Sequence, residues 1–211
     1  MRIAVVDYGM GNLRSVSKAL EHVAPHANVE VTSDPSSVAG ADRVVFPGQG
    51  AMPDCMREMQ ERGLQGAVVN AAGTRPFLGI CIGLQMLFER SDEGGVEGLA
   101  LLPGIVRRFP GPAMFDSKGR RLKVPHMGWN RVNQARPHPL WSGIEDGSRF
   151  YFVHSYFPEP SAPELTRGTT EYGVPFTCAV ARDNIFAVQF HPEKSHTSGL
   201  QLLANFVNWN P

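Results

Sequence analysis

Phe77-Leu78-Gly79-Ile80-Cys81-Ile82-Gly83 decides the architecture of this chain. Its first four residues are apolar without interruption, the signature of a strand buried on both faces. Ile82 to Phe88 then has the length and composition of a helix. A strand that runs straight into a helix is the repeating unit of a parallel sheet, and the turn between the two falls on Cys81.

The same alternation extends upstream. Ile3 to Asp7 reads as a strand, and Leu13, Val16, Leu20 and Val23 mark one face of a helix. Val29 to Val31 is a second strand. Asp34-Pro35 suits a helix start, because a carboxylate can cap free amides and proline fits the first helical position. Ala41 to Phe46 reads as a third strand, followed by a helix around Met52 to Arg62. Downstream, Pro103-Gly104 and Pro110-Gly111-Pro112 break the 99–124 segment into runs with no readable phase. Phe150 to Phe157 reads as one strand, and Thr177–Ala181 and Ile185–Phe190 as a hairpin around Arg182-Asp183-Asn184. A closing helix presents Leu200, Leu203, Ala204 and Val207 to the sheet. The expectation is an α/β fold in one domain over 1–211: a mostly parallel, flavodoxin-like sheet flanked by helices, with an added antiparallel section in the second half.

Composition narrows the function classes. With 211 residues the chain can bury a sheet under helices on both faces. Twenty basic residues balance twenty acidic ones, so no long-range field draws in a nucleic acid or an anionic membrane. No apolar run approaches the roughly 18–20 residues of a membrane helix. Three cysteines, Cys55, Cys81 and Cys178, cannot all pair, and the first residues already read as a strand; a soluble protein of the reducing cytoplasm is expected.

A cysteine at the amino end of a helix is favoured as thiolate by unpaired amides and the aligned dipole. Gly79 and Gly83 flank Cys81 and would relieve crowding in a sharp elbow, where the Ile82 amide becomes an oxyanion donor. The competing reading, a buried core cysteine, has no use for that elbow. His191-Pro192-Glu193 follows an apolar strand that can end at the same sheet edge. A residue before proline is steered towards extended backbone, so His191 and Glu193 share a face and the carboxylate can fix the imidazole tautomer; a surface turn is the alternative. Pro47-Gly48-Gln49-Gly50 closes the third strand at the edge where parallel sheets bind ligands. Gln49 and Gly50 there can supply the second oxyanion donor, with rotation of a peptide making or breaking the hole; a plain tight turn is the alternative.

Taken together, Gly79, Cys81, Gly83, Gln85, His191 and Glu193 resemble the motifs Gly-x-Cys-x-Gly-x-Gln and His-Pro-Glu of the triad-type, class I glutamine amidotransferases. Within that family the resemblance is closest to the glutaminase subunits of imidazole glycerol phosphate synthase. It spans nearly the whole chain through four further stretches: Asp7 to Leu13, Val124 to Asn130, Phe152 to Tyr156 and Gln189 to Ser195. The resemblance implies that L-glutamine is the nitrogen donor and Cys81, His191 and Glu193 the triad. Gly48, Gln85, His154, Ser155 and Tyr156 would hold the substrate. It further implies a heterodimer with a cyclase subunit built as an α/β barrel, faced by Asn12, Pro125, His126, Trp129 and Lys194, with the ammonia entering histidine biosynthesis. His196 and Phe157 depart from the family pattern, where glutamine and a second tyrosine are expected. No metal or cofactor is needed for such chemistry.

Other motifs point to packing. His22 and His26 are separated by Pro25, which breaks the helix that would align them for a metal. Cys55, Cys178, Met52, Met56 and Met59 read as core. Gly9-x-Gly11 starts like a dinucleotide fingerprint, but Arg14 stands where the third glycine belongs. Two alternatives to the leading function remain: a triad glutaminase serving chorismate or nucleotide amination, and a catalytically silent regulatory subunit.

Overall fold

The computed structural model describes residues 1–111, 114–116 and 118–211; Pro112 of the Pro110-Gly111-Pro112 turn lies outside them. β1 (Arg2–Val6), α1 (Leu13–Val23), β2 (Asn28–Thr32), α2 (Pro35–Ala39) and β3 (Arg43–Gly48) follow the expected alternation. Asp34 caps α2 as its sequence suggests, its Oδ1 accepting from the Ser36 amide at 2.9 Å. α3 (Met52–Glu61) and α4 (Gln65–Thr74) then lead to β4 (Phe77–Cys81). The sequence reading lacks α4. Its stretch QGAVVNAAGT holds two glycines and small side chains, so little periodicity marks the Val68, Ala71 and Ala72 face that it buries.

After β4 come α5 (Ile82–Gln85), β5 (Phe88–Ser91), β6 (Leu102–Arg108), β7 (His126–Arg131), β8 (Asn133–Gln134) and β9 (Arg149–His154). β10 (Tyr156–Pro160), β11 (Thr166–Glu171), β12 (Pro175–Arg182), β13 (Ile185–Val188) and α6 (His196–Asn208) complete the chain. Among the described residues the main sheet runs β2-β1-β3-β4-β13-β12-β11-β8, beside two smaller sheets, β10-β6-β5 and β7-β9. The pairs from β2 to β13 are parallel, and those from β13 to β8 antiparallel. The mixed sheet of the sequence reading is therefore present, its antiparallel section built by the second half of the chain. Because the chain reverses direction across β1, right-handed crossovers put α1 on one face and α2 to α4 on the other. α6 joins α1, and α4 joins α2.

Four sequence expectations are corrected. The helix expected over Ile82 to Phe88 is a single turn, and Phe88 to Arg90 are strand. The Met86 and Leu87 carbonyls, which a longer helix would use internally, accept instead from the amides of Leu99, Leu101 and Leu102. Non-local strand pairing wins there because either conformation buries Met86, Leu87 and Phe88. The strand expected over Phe150 to Phe157 divides at Ser155: β9 pairs with β7 and β10 with β6. The closing helix buries Gly199, Leu202, Leu203, Phe206 and Val207, a face rotated from the expected one, with Leu200 and Ala204 half-buried. The hairpin is tighter than expected, since Arg182 pairs with Ile185 across a two-residue turn. Cys55, Cys178, Met52, Met56 and Met59 are core residues, as their sequence context suggests. No helix among the described residues is long and apolar enough to cross a membrane.

The elbow after β4 depends on Gly83. A methyl group there would overlap the Phe46 carbonyl of β3, so α5 lies directly on that backbone. Gly83→Ala should lower the melting temperature by about 5–10 °C, the scale of an overpacked core site. Gly66→Ala in α4, where a Cβ meets nothing within 4 Å, should leave the melting temperature unchanged or raise it. Equal thermal stability of the two variants would contradict the close approach at Gly83.

Candidate active site

The parallel register fixes what surrounds Cys81. β3 places Gly48 level with it, and on the other side β13 pairs Val188 with Ile80, so the next residue, Gln189, arrives beside the sulfur. Cys81 itself has φ 56° and ψ −110°, a region that side chains rarely adopt and that costs on the order of 1–3 kcal/mol. The thiol is buried, and as a donor it faces the Val153 carbonyl at 3.9 Å. Because α5 has one turn, its dipole is short; what it contributes is the Ile82 amide, among the first N–H groups that have no helical acceptor.

His191 and Glu193 meet as expected, with Nδ1 and Oε1 2.9 Å apart, but through different backbone. Pro192–Lys194 forms a 3-10 turn instead of continuing the extended chain. The Ser195 hydroxyl stabilises that turn, donating to the His191 carbonyl at 2.6 Å and accepting from the Tyr151 amide at 3.0 Å. Both side chains of the pair are buried. Burial alone would push the imidazole towards its neutral form. The nearby Cys81 sulfur and then Glu193 outweigh it and raise the His191 pKa to about 10. Among the described residues, Nε2, the nitrogen left for the thiol, is buried with no hydrogen-bond partner. The sulfur therefore acts on this imidazole through its charge, with no hydrogen bond between them.

A cavity of ≈220 Å³ opens over Cys81, lined by Gln49, Gly50, Ile82, Gln85, Glu93, Pro125, Val153 to Tyr156 and His191. It is smaller than the roughly 300 Å³ at which pockets for drug-sized ligands begin, so it suits a small substrate. Gly48 is not in this lining. It lies behind, where a side chain would strike the Tyr8 hydroxyl and Ile82. Tyr8 donates to the Pro47 carbonyl at 2.9 Å, and the Cys55 thiol lies 3.7 Å from the Gln49 carbonyl, so both carbonyls are held from within. Glu93, absent from the sequence-based set, also accepts from the Met52 amide at 2.8 Å. An acidic residue before Gly94-Gly95 was its only local signal.

Polar groups behind the cavity form a continuous path. Gln189 Nε2 lies 3.7 Å from the Cys81 sulfur, and its Oε1 accepts from Gln85 Nε2 at 3.0 Å. The same Gln85 nitrogen donates to the Tyr156 carbonyl at 3.1 Å, which also accepts from His154 Nδ1 at 2.8 Å. His154 Nε2 must then accept from His126 Nδ1, 2.9 Å away. His126 is stacked between Phe152 and Tyr172, and burial lowers its pKa to about 4 and that of His154 to about 3. Phe157, one of the departures from the family pattern, packs on Phe109 in the same aromatic cluster, with ring centroids 4.8 Å apart.

The residues expected to face a partner divide. His126 is buried, which corrects its assignment to the partner-facing surface: β7 alternates, turning His126 inward and Met127, Trp129 and Arg131 outward. Met127 is 63 % exposed and Trp129 42 %. Trp129 stacks flat on His196, the other departure, with centroids 5.0 Å apart. Lys194 Nζ lies 5.9 Å from the centroid of the Tyr151 ring, which Trp129 meets edge-on. Pro125 is exposed and Asn12 half-buried at the start of α1, which packs against the Pro192–Lys194 turn.

The fold and its site define a class. The family described as glutamine amidotransferase class-I has a model that matches residues 4–209. Two solved glutamine amidotransferase structures share the fold: one with a TM-score of 0.70 at 17% identity over 97% of each chain, and one from Thermotoga maritima with 0.60 at 14%, covering 92% of this chain and 76% of that one. The imidazole glycerol phosphate synthase subunit HisH of Dechloromonas aromatica is 70% identical over 209 residues, 99% of this chain and 97% of the relative. That of Thiobacillus denitrificans is 68% identical over 209 residues, 99% and 92% of the two chains. This chain belongs to the class-I glutamine amidotransferases and, within them, to the family of imidazole glycerol phosphate synthase subunits HisH.

Three buried histidines with opposite electrostatics are testable together. By NMR of the imidazole nitrogens, His126 and His154 should stay neutral from about pH 5 upward, and His191 should be protonated at neutral pH. Glu193 favours the imidazolium, so Glu193→Gln should lower the His191 midpoint. A midpoint that does not move would contradict the pairing.

Proposed function

We propose that this chain hydrolyses L-glutamine to L-glutamate and ammonia at Cys81, and hands the ammonia to a cyclase subunit of imidazole glycerol phosphate synthase in histidine biosynthesis. The observation that supports it most directly is the convergence of Cys81 and His191 on one small cavity at the carboxyl edge of the sheet, with Glu193 held against His191 from behind, in a chain 60–70% identical to HisH proteins. The Cys81 thiolate attacks the side-chain carboxamide carbon of glutamine, and the carbonyl oxygen takes up the negative charge. Ile82 donates one amide to that oxygen. Cys55 draws the Gln49 carbonyl inward, so the Gly50 N–H of the same planar peptide points away from Cys55 and serves as the second donor.

The His191 imidazolium protonates the departing nitrogen as the carbon–nitrogen bond breaks, leaving a thioester. Neutral His191 then takes a proton from water, which adds to the thioester carbon and releases glutamate and the thiolate. Glu193 keeps Nδ1–H oriented through both halves. Gln85 Oε1 is buried with no hydrogen-bond partner among the described residues and Glu93 lines the same cavity; together they present acceptors to the substrate ammonium. His154, Ser155 and Tyr156 sit where the chain breaks between β9 and β10, which turns their backbone towards the substrate.

Ammonia released into neutral water is protonated and loses its nucleophilicity, so the product is useful only if sheltered on the way to an acceptor. That need supports a partner docked over Met127, Trp129, Pro125, Lys194 and Asn12, a cyclase with an α/β-barrel fold forming a heterodimer. It also disfavours a silent regulatory subunit, which would have no use for a strained nucleophile. With the cyclase present, Cys81→Ala should reduce glutamine hydrolysis by at least about 10³-fold while leaving ammonia-dependent cyclisation intact. Hydrolysis retained in that variant would overturn the assignment of the nucleophile.

A further inference from the structure

The one-turn α5 leaves Cys81 without most of the helix that would stabilise a thiolate. Gln189 occupies the position that fills this gap. It is fully buried, follows directly on β13, and the strand register delivers it beside the sulfur. Which end of its amide faces Cys81 follows from hydrogen-bond capacity. The Tyr156 carbonyl can only accept, so the Gln85 atom 3.1 Å from it is the nitrogen. That same nitrogen lies 3.0 Å from Gln189, whose facing atom must therefore be the oxygen. The NH₂ group is left to point at the sulfur at 3.7 Å. His154 donates to the same carbonyl from its fixed tautomer and reinforces the orientation.

We propose that Gln189 is a further catalytic residue of the glutaminase reaction: its side-chain amide, oriented by Gln85, donates to the Cys81 sulfur, favours the thiolate and aims it at the substrate. The inference rests on Cys81 being the nucleophile. In the thiol form the sulfur donates towards the Val153 carbonyl, while the amide, neutral at every relevant pH, remains as a donor once the proton is gone. Gln85 lines the cavity, so the residue that orients this donor also borders the substrate.

The test reads the thiol itself. Alkylation of Cys81 by iodoacetamide, followed by peptide mass spectrometry across pH, should show a midpoint about one pH unit higher in Gln189→Met, an about tenfold smaller thiolate fraction at neutral pH. In the complex with the cyclase, kcat for glutamine should fall about tenfold with KM within about twofold, the pattern of a lost transition-state interaction. Gln189→Glu should raise the midpoint further, since an anion replaces a donor beside the thiolate. Midpoints equal to wild type in both variants would overturn the proposal. A second measurement needs no change at Gln189: its side-chain amide resonance in the otherwise native protein should shift over the pH range in which Cys81 becomes alkylatable, and stay flat in Cys81→Ala. A resonance that ignores Cys81 ionisation would likewise overturn it. Failure of Cys81 as nucleophile would appear separately, as hydrolysis that survives Cys81→Ala.

Discussion

The backbone at Cys81 is the constraint from which the site follows. A cysteine at φ 56° persists only if its surroundings leave no alternative. β3 and β13 hold the strand on both sides, and Leu84 and Met86 are completely buried just beyond. Gly83 allows α5 to press against the Phe46 carbonyl. A relaxed backbone at Cys81 would need to lift that turn out of the core. The strain of the nucleophile is thus maintained by apolar burial in residues that never touch substrate.

Three histidines buried to a similar degree show how neighbours decide charge. His126 lies buried between two aromatic rings and His154 is buried beside it, and for both the loss of hydration of a charged ring dominates, outweighing the Tyr156 carbonyl that accepts from His154, so both are held neutral. His191 differs because Glu193 and the Cys81 sulfur flank it. The neutral pair can therefore keep a fixed tautomer and orient amides, whereas His191 can move a proton. One residue type performs two tasks because the Cys81 sulfur and then a carboxylate flank only one of the three.

Much of the fold was legible locally. Strands β1 to β4 announce themselves as short apolar runs, Asp34 as a cap, and Cys81 as the pivot of a glycine-flanked turn. What was not legible depends on partners distant in sequence: Phe88 becomes strand because Leu102 is available, and the Phe150–Phe157 run breaks at Ser155 because its halves pair with different strands. The His191–Glu193 contact was anticipated from an extended geometry, yet a 3-10 turn creates it, since tight turns also bring residues two apart together. Gln189 lay within a recognised motif with nothing to single it out, and its proximity to Cys81 exists only through the β4–β13 register. For His126 the alternation along β7 would have given the inward face, had Pro125 and Gly128 not made the segment read as a loop.

That alternation joins two surfaces that otherwise look separate. The outward side of β7 exposes Met127 and Trp129, and its inward side supplies the first imidazole of the path to Tyr156, Gln85 and Gln189. Adjacent residues of a strand share a backbone, so their side chains cannot be displaced independently along the strand direction. The Tyr156 carbonyl, which fixes the orientation of both glutamine amides, accepts from His154. The strand that exposes Met127 and Trp129 thus also carries the imidazole at the far end of the path to the sulfur, while the Tyr156 carbonyl in the middle of that path belongs to β10.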